Sequence, residues 1–233
     1  MAQVALVTAL LGRADLFRSL SDGDRSVVAA QMSGATYASG QLIFGRGDPG
    51  EELYLVVEGR VRLSVISADG RVLSFGHASR GDIFGEIAAI DGQARTADAT
   101  ALTRVQSMIL SRASLSHLME AKPRLVQAAV AFVCRRLRTT TDQIESIALH
   151  STQVRVARFL LAAAFMKRRH QVSAHRVVVN LGMSQTELSL LLGSSRSKVN
   201  EALTALERLG ALRHTAGHIE CDVSALQAVA QDD

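Results

Sequence analysis

Phe84-Gly85-Glu86-Ile87-Ala88-Ala89-Ile90-Asp91-Gly92-Gln93-Ala94-Arg95-Thr96-Ala97 is the stretch on which the reading of this chain turns. Gly85 has no Cβ, so the backbone there can approach a bound group closely. Glu86 can accept hydrogen bonds from a sugar hydroxyl. The small apolar run Ile87 to Ile90, with Ala88 and Ala89 inside it, suits a short turn whose backbone N–H groups point at an anion. Arg95 supplies a planar, permanently charged donor fork that fits a phosphate, and Thr96 sets a hydroxyl beside it. None of these residues is diagnostic alone. The ordered set is.

Outward from this stretch, the chain to either side reads as strands. Alternating runs such as Arg60-Val61-Arg62-Leu63-Ser64-Val65-Ile66 are strand-like, and Asp69-Gly70 before Val72-Leu73-Ser74-Phe75 is a hairpin signal. Ten glycines lie between Gly40 and Gly92, a density of turns that predicts an antiparallel roll or barrel over Thr36 to Ser111. Before it, residues 5–32 read as short helices, with Leu6, Leu10, Leu11, Leu16, Phe17 and Leu20 at helical spacing and Ser21 or Asp22 as a cap. After it, Ser111 to Met119 reads as another short helix.

From Pro123 to about Leu149 one long helix is predicted, with proline tolerated in its first turn. Val126, Val130, Val133, Leu137, Thr140, Ile144 and Ile147 step by 4, 3, 4, 3, 4, 3. That is a narrow heptad seam, flanked by Arg135, Arg136, Arg138 and Asp142, and it favours a dimer over an ordinary core helix. Thr140 interrupts the seam with a hydroxyl that needs a partner: a ligand edge, or the helix's own carbonyls. His150-Ser151-Thr152-Gln153 breaks the helix and is the candidate hinge. Ser151 or Thr152 can cap the next helix, Gln153 to about Lys167. Ser184-Gln185-Thr186-Glu187 then forms a capping box, Gly193 ends that short helix, and Ser194-Ser195 cap another from Arg196 to about Leu209. Helix, glycine turn, helix with Val199, Leu203 and Leu206 on one face is a helix-turn-helix. Leu212 to Thr215 and His218 to Cys221, around Ala216-Gly217, read as a hairpin wing.

Charge supports that division. Residues 1–120 carry 11 Lys/Arg against 13 Asp/Glu, and residues 121–233 carry 15 against 9. A mildly acidic first half and a basic second half fit a sensor joined to a polyanion binder; basic decoration of surface helices would give the same sums. The two cysteines, Cys134 and Cys221, are far apart and make no disulfide framework, which points to a reducing cytoplasm. The longest apolar run, Phe159 to Met166, is short of the ~20 residues of a membrane helix, and no basic segment precedes the apolar N-terminus. A soluble, cytoplasmic protein without a membrane partner is expected.

Residues 84–97 resemble the phosphate-binding cassette of the cyclic-nucleotide-binding domain. Gly40-Gln41-Leu42-Ile43-Phe44-Gly45-Arg46-Gly47-Asp48 and Leu53-Tyr54-Leu55-Val56-Val57-Glu58-Gly59-Arg60-Val61 resemble glycine-punctuated β-roll strands of the catabolite-activator (CRP/FNR) family of bacterial transcription regulators. The resemblance covers nearly the whole chain, in the family's order of sensor, dimer helix and DNA reader. It implies an α+β fold: an N-terminal antiparallel β-roll, residues 1–122; a long dimerisation helix, residues 123–150; and a C-terminal winged helix-turn-helix, residues 151–233.

The same resemblance implies a cyclic nucleotide held by Gly85, Glu86, Ile87, Ala88, Arg95 and Thr96. Arg136 would help close the phosphate and ribose end. Thr140 and Thr141 would meet the base, one from each subunit of a homodimer. Cyclic AMP is the effector implied. Cyclic GMP is one alternative, because a threonine directly after the cassette arginine resembles cyclic-GMP-selective domains; a cyclic-nucleotide-independent regulator of the same family is another. Duplex DNA with a palindromic operator, and RNA polymerase, are the implied partners. Arg196, Ser197, Lys198, Asn200 and Glu201 stand at the reader positions of the second helix, with Arg196 matching an arginine that contacts guanine. Ser184, Thr186 and Ser195 are candidate phosphate contacts. Ser197 stands where the founding regulator has glutamate, and Glu201 where it has arginine, so the half-site should differ from the familiar one.

Other constellations carry less. His214, His218 and Cys221 have donor spacing for zinc, but alternate faces of a hairpin would separate them. The family's oxygen sensors bind an iron–sulfur centre through N-terminal cysteines, and the first 130 residues here contain none. No metal, haem or iron–sulfur cluster is expected. His170 and His175 are expected in a solvated basic loop, and Cys134 as a buried, inert thiol or one facing the other subunit. No acid/base pair or nucleophile points to an enzyme. The rival from another class is a signalling subunit whose sensor gates a protein partner.

Overall fold

Leu53-Tyr54-Leu55-Val56 is buried at all four residues, although a strand sends alternate side chains to opposite faces. The strand that carries them therefore has a core on each side. The computed structural model describes residues 2–168, 176–215 and 218–231, in two compact units, Met1–Thr140 and Thr141–Asp233.

The first unit opens with α1 (Ala2–Leu11) and α2 (Asp22–Ala30). There follow β1 (Ser33–Tyr37), β2 (Leu42–Phe44), β3 (Glu52–Glu58), β4 (Val61–Ile66), β5 (Val72–Ala78) and β6 (Ile83–Phe84). Next come α3 (Glu86–Asp91), β7 (Asp98–Ala101), β8 (Val105–Ser111), α4 (Arg112–Ala121) and α5 (Pro123–Leu149), the last of which runs past the unit's end. The strands form two four-stranded sheets, in the orders β1-β8-β3-β6 and β2-β7-β4-β5, and every pairing is antiparallel. Tyr54, Val56, Val61, Phe84, Ala99, Ala101 and Val105, drawn from both sheets, make one core. Leu53 and Leu55 join Leu11, Phe17, Leu110, Leu115, Leu125 and Phe132 in a second core, under the helices. Each buried Leu in such a cluster contributes about 1.5–3 kcal/mol relative to exposure.

Local chemistry sets the ends of these elements. Ser21 caps α2 and Ser111 caps α4, accepting from the N–H groups of Asp24 and Ser114, each at 3.1 Å. Asp69-Gly70 lies in the turn between β4 and β5, where Gly70 has φ +80° and Ser67 and Arg71 close the loop by a 2.9 Å backbone hydrogen bond.

The apolar residues of α5 divide between two faces. Leu125, Ala129 and Phe132 are buried in the core. Val126, Val130, Val133, Leu137 and Ile144 lie 43–66% exposed, so the heptad seam stays open on the single chain. Of the two readings of Cys134, burial within the chain fails: it is exposed, because it lies next to the seam and away from the face that enters the core.

The second unit takes the end of α5, then α6 (Thr152–Arg168), β9 (Arg176–Val179), α7 (Gln185–Leu191), α8 (Arg196–Arg208), β10 (Leu212–Thr215), β11 (His218–Asp222) and α9 (Val223–Gln231). Ser151 caps α6, accepting from the Val154 N–H at 3.3 Å. Strands β10, β11 and β9 form an antiparallel sheet in that order. Val156, Leu160, Val177, Leu188, Val199, Leu203, Leu206, Leu212 and Leu226 share its core. The wing's turn at Ala216-Gly217, and His170 and His175, lie outside the described residues. No helix among the described residues is long and apolar enough to cross a membrane.

Gly59 and Gly70 separate strain from clash. Both have positive φ, +91° and +80°. A Cβ at Gly59 would lie 2.2 Å from the Arg104 carbonyl oxygen, whereas one at Gly70 would meet nothing within 4 Å. Gly70→Ala is expected to cost about 1–2 kcal/mol, the left-handed penalty alone, and Gly59→Ala about 3 kcal/mol or more. Urea unfolding of the two variants checks this; equal losses would contradict the close packing at Gly59.

Candidate functional site

The segment that opens the sequence reading is a strand, a glycine, one short helix and a loop. Strand β6 delivers the chain into Gly85, which has φ +75° and begins α3; Gly92, with φ +73°, ends it. The loop that follows is tied to the segment before β3: the Arg95 N–H donates to the Asp48 carbonyl, and the Arg95 carbonyl accepts from the Gly47 N–H, both at 2.9 Å. This clamp turns the Arg95 side chain inward, where the residue is only 4% exposed.

Arg95 is held on several sides. Its Nη1 donates to the carbonyls of Glu52, at 2.7 Å, and Gly85, at 2.8 Å. Its guanidinium lies 4.2 Å from the Phe44 ring centroid and 5.6 Å from that of Tyr54, a cation–π arrangement worth about 0.5–2 kcal/mol. Tyr54 stacks on Phe84 at 4.8 Å and donates its hydroxyl to the Glu52 carboxylate. Burial lowers the Arg95 pKa, and nearby Tyr54, Glu52, Asp48 and Glu86 oppose that shift. The Nε of Arg95 is buried and makes no hydrogen bond among the described residues. Within the chain, the group packed against Gly85 is Arg95 itself: a Cβ there would lie 2.7 Å from Nη1.

Glu86 is also buried, at 3% exposure. Its Oε1 receives Arg136 Nε at 3.3 Å, and Arg136 also lies over the Phe132 ring, 5.7 Å away. That pair joins α3 to α5. Ala88 is buried against Gly50, where an added Cβ would lie 2.0 Å from Ala88 Cβ. Ile87 and Thr96 are exposed. Thr140 ends the first unit and Thr141 begins the second, and both are exposed. Beside Arg136 opens a cleft of about 420 Å³ whose lining includes Leu63, Gly76, His77, Phe132 and Thr139. Sequence reasoning missed Phe44, Tyr54, Gly76 and His77. Each sits on a strand, and only the pairing of strands brings it to the site.

In the second unit, Ser184 caps α7, accepting from the Glu187 N–H at 3.1 Å, and Ser195 caps α8, accepting from the Lys198 N–H at 3.3 Å. Gly193 turns the chain between them with φ +59°. Val199, Ala202, Leu203 and Leu206 pin α8 to the core. Ser184, Thr186, Ser195, Arg196, Ser197, Lys198, Asn200 and Glu201 are all exposed. Sequence reasoning also missed Arg155. From α6 it donates Nη1 to the Leu192 carbonyl at 2.7 Å and Nη2 to Thr152 Oγ1 at 3.2 Å, so it caps the C-terminus of α7 and braces the turn. Of the zinc-spaced trio, Cys221 is buried while His214 and His218 are exposed, and burial raises the Cys221 thiol to about 11.

Comparison with known proteins matches both halves. Residues 34–122 match the cyclic nucleotide-binding domain and residues 154–229 the Crp-like helix-turn-helix domain. A CRP-like cAMP-activated global transcriptional regulator of Mycobacterium tuberculosis is 28% identical over 204 residues, covering 88% of this chain and 90% of the relative. The cyclic AMP receptor protein of Thermus thermophilus is 28% identical over 218 residues, covering 91% and 94%. The solved structure of FixK2 from Bradyrhizobium japonicum superposes with a TM-score of 0.73 at 24% identity, covering 87% of this chain and 98% of that one, and so shares the fold. With both domains matched in order, the chain belongs to the catabolite-activator (CRP/FNR) family of transcription regulators.

Proposed function

We propose that the chain is a cyclic-nucleotide-gated, sequence-specific DNA-binding regulator that acts as a cytoplasmic homodimer and catalyses no reaction. The observation that carries this is the state of Arg95. Two carbonyls and two aromatic rings hold its guanidinium, yet its Nε is buried without an acceptor among the described residues. An unanswered buried donor on a charged group is costly, and a phosphate oxygen is the acceptor that fits it. Glu86, next to Gly85, would accept from the ribose. Thr96 and Ile87, exposed beside them, and Ala88 complete the cassette.

Cyclic AMP is the effector that the names of the two relatives support. Thr96 keeps cyclic GMP as the second reading, since its exposed hydroxyl follows the cassette arginine directly. The open seam of α5 supports the dimer, because apolar side chains at heptad spacing lose free energy while they face water. A ligand meeting Thr140 of one subunit and Thr141 of the other would favour one arrangement of the paired helices, and it can do so only through different affinity for the two arrangements. The reader helices of a dimer would enter successive major grooves, ~34 Å apart, on a palindromic operator. Arg196 would contact guanine, and Ser184, Thr186 and Ser195 would contact phosphates. RNA polymerase would be the further partner where such a regulator activates transcription.

Removal of the phosphate fork should be felt first. Arg95→Ala is expected to weaken cyclic AMP binding about 100-fold, the worth of two charge-assisted hydrogen bonds, measured by calorimetric titration. It should also lower stability, because the carbonyls of Glu52 and Gly85 lose their donor, so a thermal melt must accompany the titration. Wild-type affinity in a folded Arg95→Ala protein would sink the assignment.

On the DNA side, affinity for an operator duplex should fall steeply with salt, by about 0.9 in log–log slope for each phosphate neutralised. Arg196→Ala should cost about 1–3 kcal/mol and relax preference at one base pair. Gel-shift titrations at several salt concentrations measure both, and a flat salt profile would favour a protein-binding role for the second unit.

A further inference from the structure

Helix α8 carries a carboxylate in the middle of the face that would meet a polyanion. At about 100° per residue, Ser197, Glu201, Thr204 and Arg208 fall on one stripe, opposite the buried Val199, Ala202, Leu203 and Leu206. Arg196 and Lys198 flank that stripe on either side. The Ser197 hydroxyl donates to Glu201 Oε1 at 2.9 Å, which fixes the carboxylate one turn into the helix and over its outward centre. Glu201 makes no ion pair with a described residue. Charge alone would place cations at this spot, because phosphates repel a carboxylate and an interface that buries it unpaired is costly. The position makes physical sense where a base offers a donor.

Two bases offer an amino group in the major groove, adenine at N6 and cytosine at N4. The adenine amino group lies between two acceptors, its own N7 and the O4 of the paired thymine, and both repel a carboxylate. The cytosine amino group has C–H on one side and a single acceptor, guanine O6, on the other. A donor-free carboxylate therefore suits cytosine, whereas adenine suits an amide that donates and accepts. Flanking Arg196 and Lys198 can reach the backbone or a neighbouring guanine without competing for the same atom.

We propose that Glu201 reads the N4 amino group of one cytosine in each operator half-site, and that Ser197 is its positioning residue, holding the carboxylate by the 2.9 Å hydrogen bond. This rests on the DNA-binding reading above and adds to it the base and the atom read. The test is selection from a randomised duplex library by the full chain with saturating cyclic AMP, followed by affinities at several salt concentrations. Wild type should select cytosine at one position of each half-site. Glu201→Gln, which keeps size at an exposed site, should lose that preference about tenfold at that position alone. Its preferences elsewhere and its salt slope should stay as in wild type. Ser197→Ala should lose part of the same preference and no other. An unchanged base profile in Glu201→Gln, an even loss at all positions, or selection of adenine there would overturn the assignment. A wild-type chain with no salt-dependent duplex binding would instead overturn the regulator reading, and the assignment with it.

Discussion

One buried cation organises the first unit. Arg95 ties three separate parts of the chain together: the loop at Gly47-Asp48 through its backbone, the start of β3 through the Glu52 carbonyl, and the turn into α3 through Gly85. A guanidinium removed from water needs nearly all of its donors answered. The fold answers Nη1 with carbonyls and offers the faces of Phe44 and Tyr54 in place of water. It leaves Nε unanswered among the described residues. On the proposed reading, that unmet donor would be the cost of a preformed anion site, in which little ordering would remain on binding.

The second constraint is that α5 carries two apolar stripes on one helix, and only one of them enters a core. Leu125, Ala129 and Phe132 belong to the core under α1 and α2, and the heptad seam faces away from it. Apolar residues on two stripes leave little room for charge, and the charged residues that remain are placed accordingly. Arg135 reaches Asp15 at 3.4 Å and Arg136 reaches Glu86 at 3.3 Å, both within the first unit. Packing accounts for the first stripe completely. The second lies 43–66% exposed at Val126, Val130, Val133, Leu137 and Ile144, which supports the proposed pairing.

The legible parts of the molecule were those where local chemistry decides. Caps at Ser21, Ser184 and Ser195 could be read from residue type and spacing, because a cap is made within three residues. The Asp69-Gly70 turn, the Pro123 helix start and the open heptad seam were legible for the same reason. Strand β9 was not: four residues, Arg176–Val179, become a strand only because β11 pairs with them. Helix α9 was missed because its apolar residues take their meaning from the core they close. The site divides in the same way. Arg95 and Glu86 stand in a contiguous segment. Phe44 and Tyr54 reach Arg95 from strands up to 51 positions away, and no pattern along the chain announces that approach. The burial reading of Cys134 failed because thiols are buried on average, whereas its face on α5 is not.

The Glu86–Arg136 pair connects the two constraints. Glu86 is nearly fully buried, and among the described residues its ion pair comes from α5. A ribose hydroxyl donating to the same carboxylate would have to share it with Arg136 or displace it. Sharing strengthens the pair, because a buried carboxylate has acceptor capacity for several donors. Displacement frees a guanidinium on the helix that carries the seam. In the first case the pair would tighten and in the second Arg136 would be released, so a ligand at α3 would be coupled to α5 through one carboxylate, and such a coupling is reciprocal. A partner helix that shifts Arg136 would alter nucleotide affinity by the factor with which the nucleotide alters pairing. The Glu86–Arg136 pair thus ties α3 to the helix that carries the seam, and on the proposed reading a ligand at α3 would be felt on α5 within the first unit.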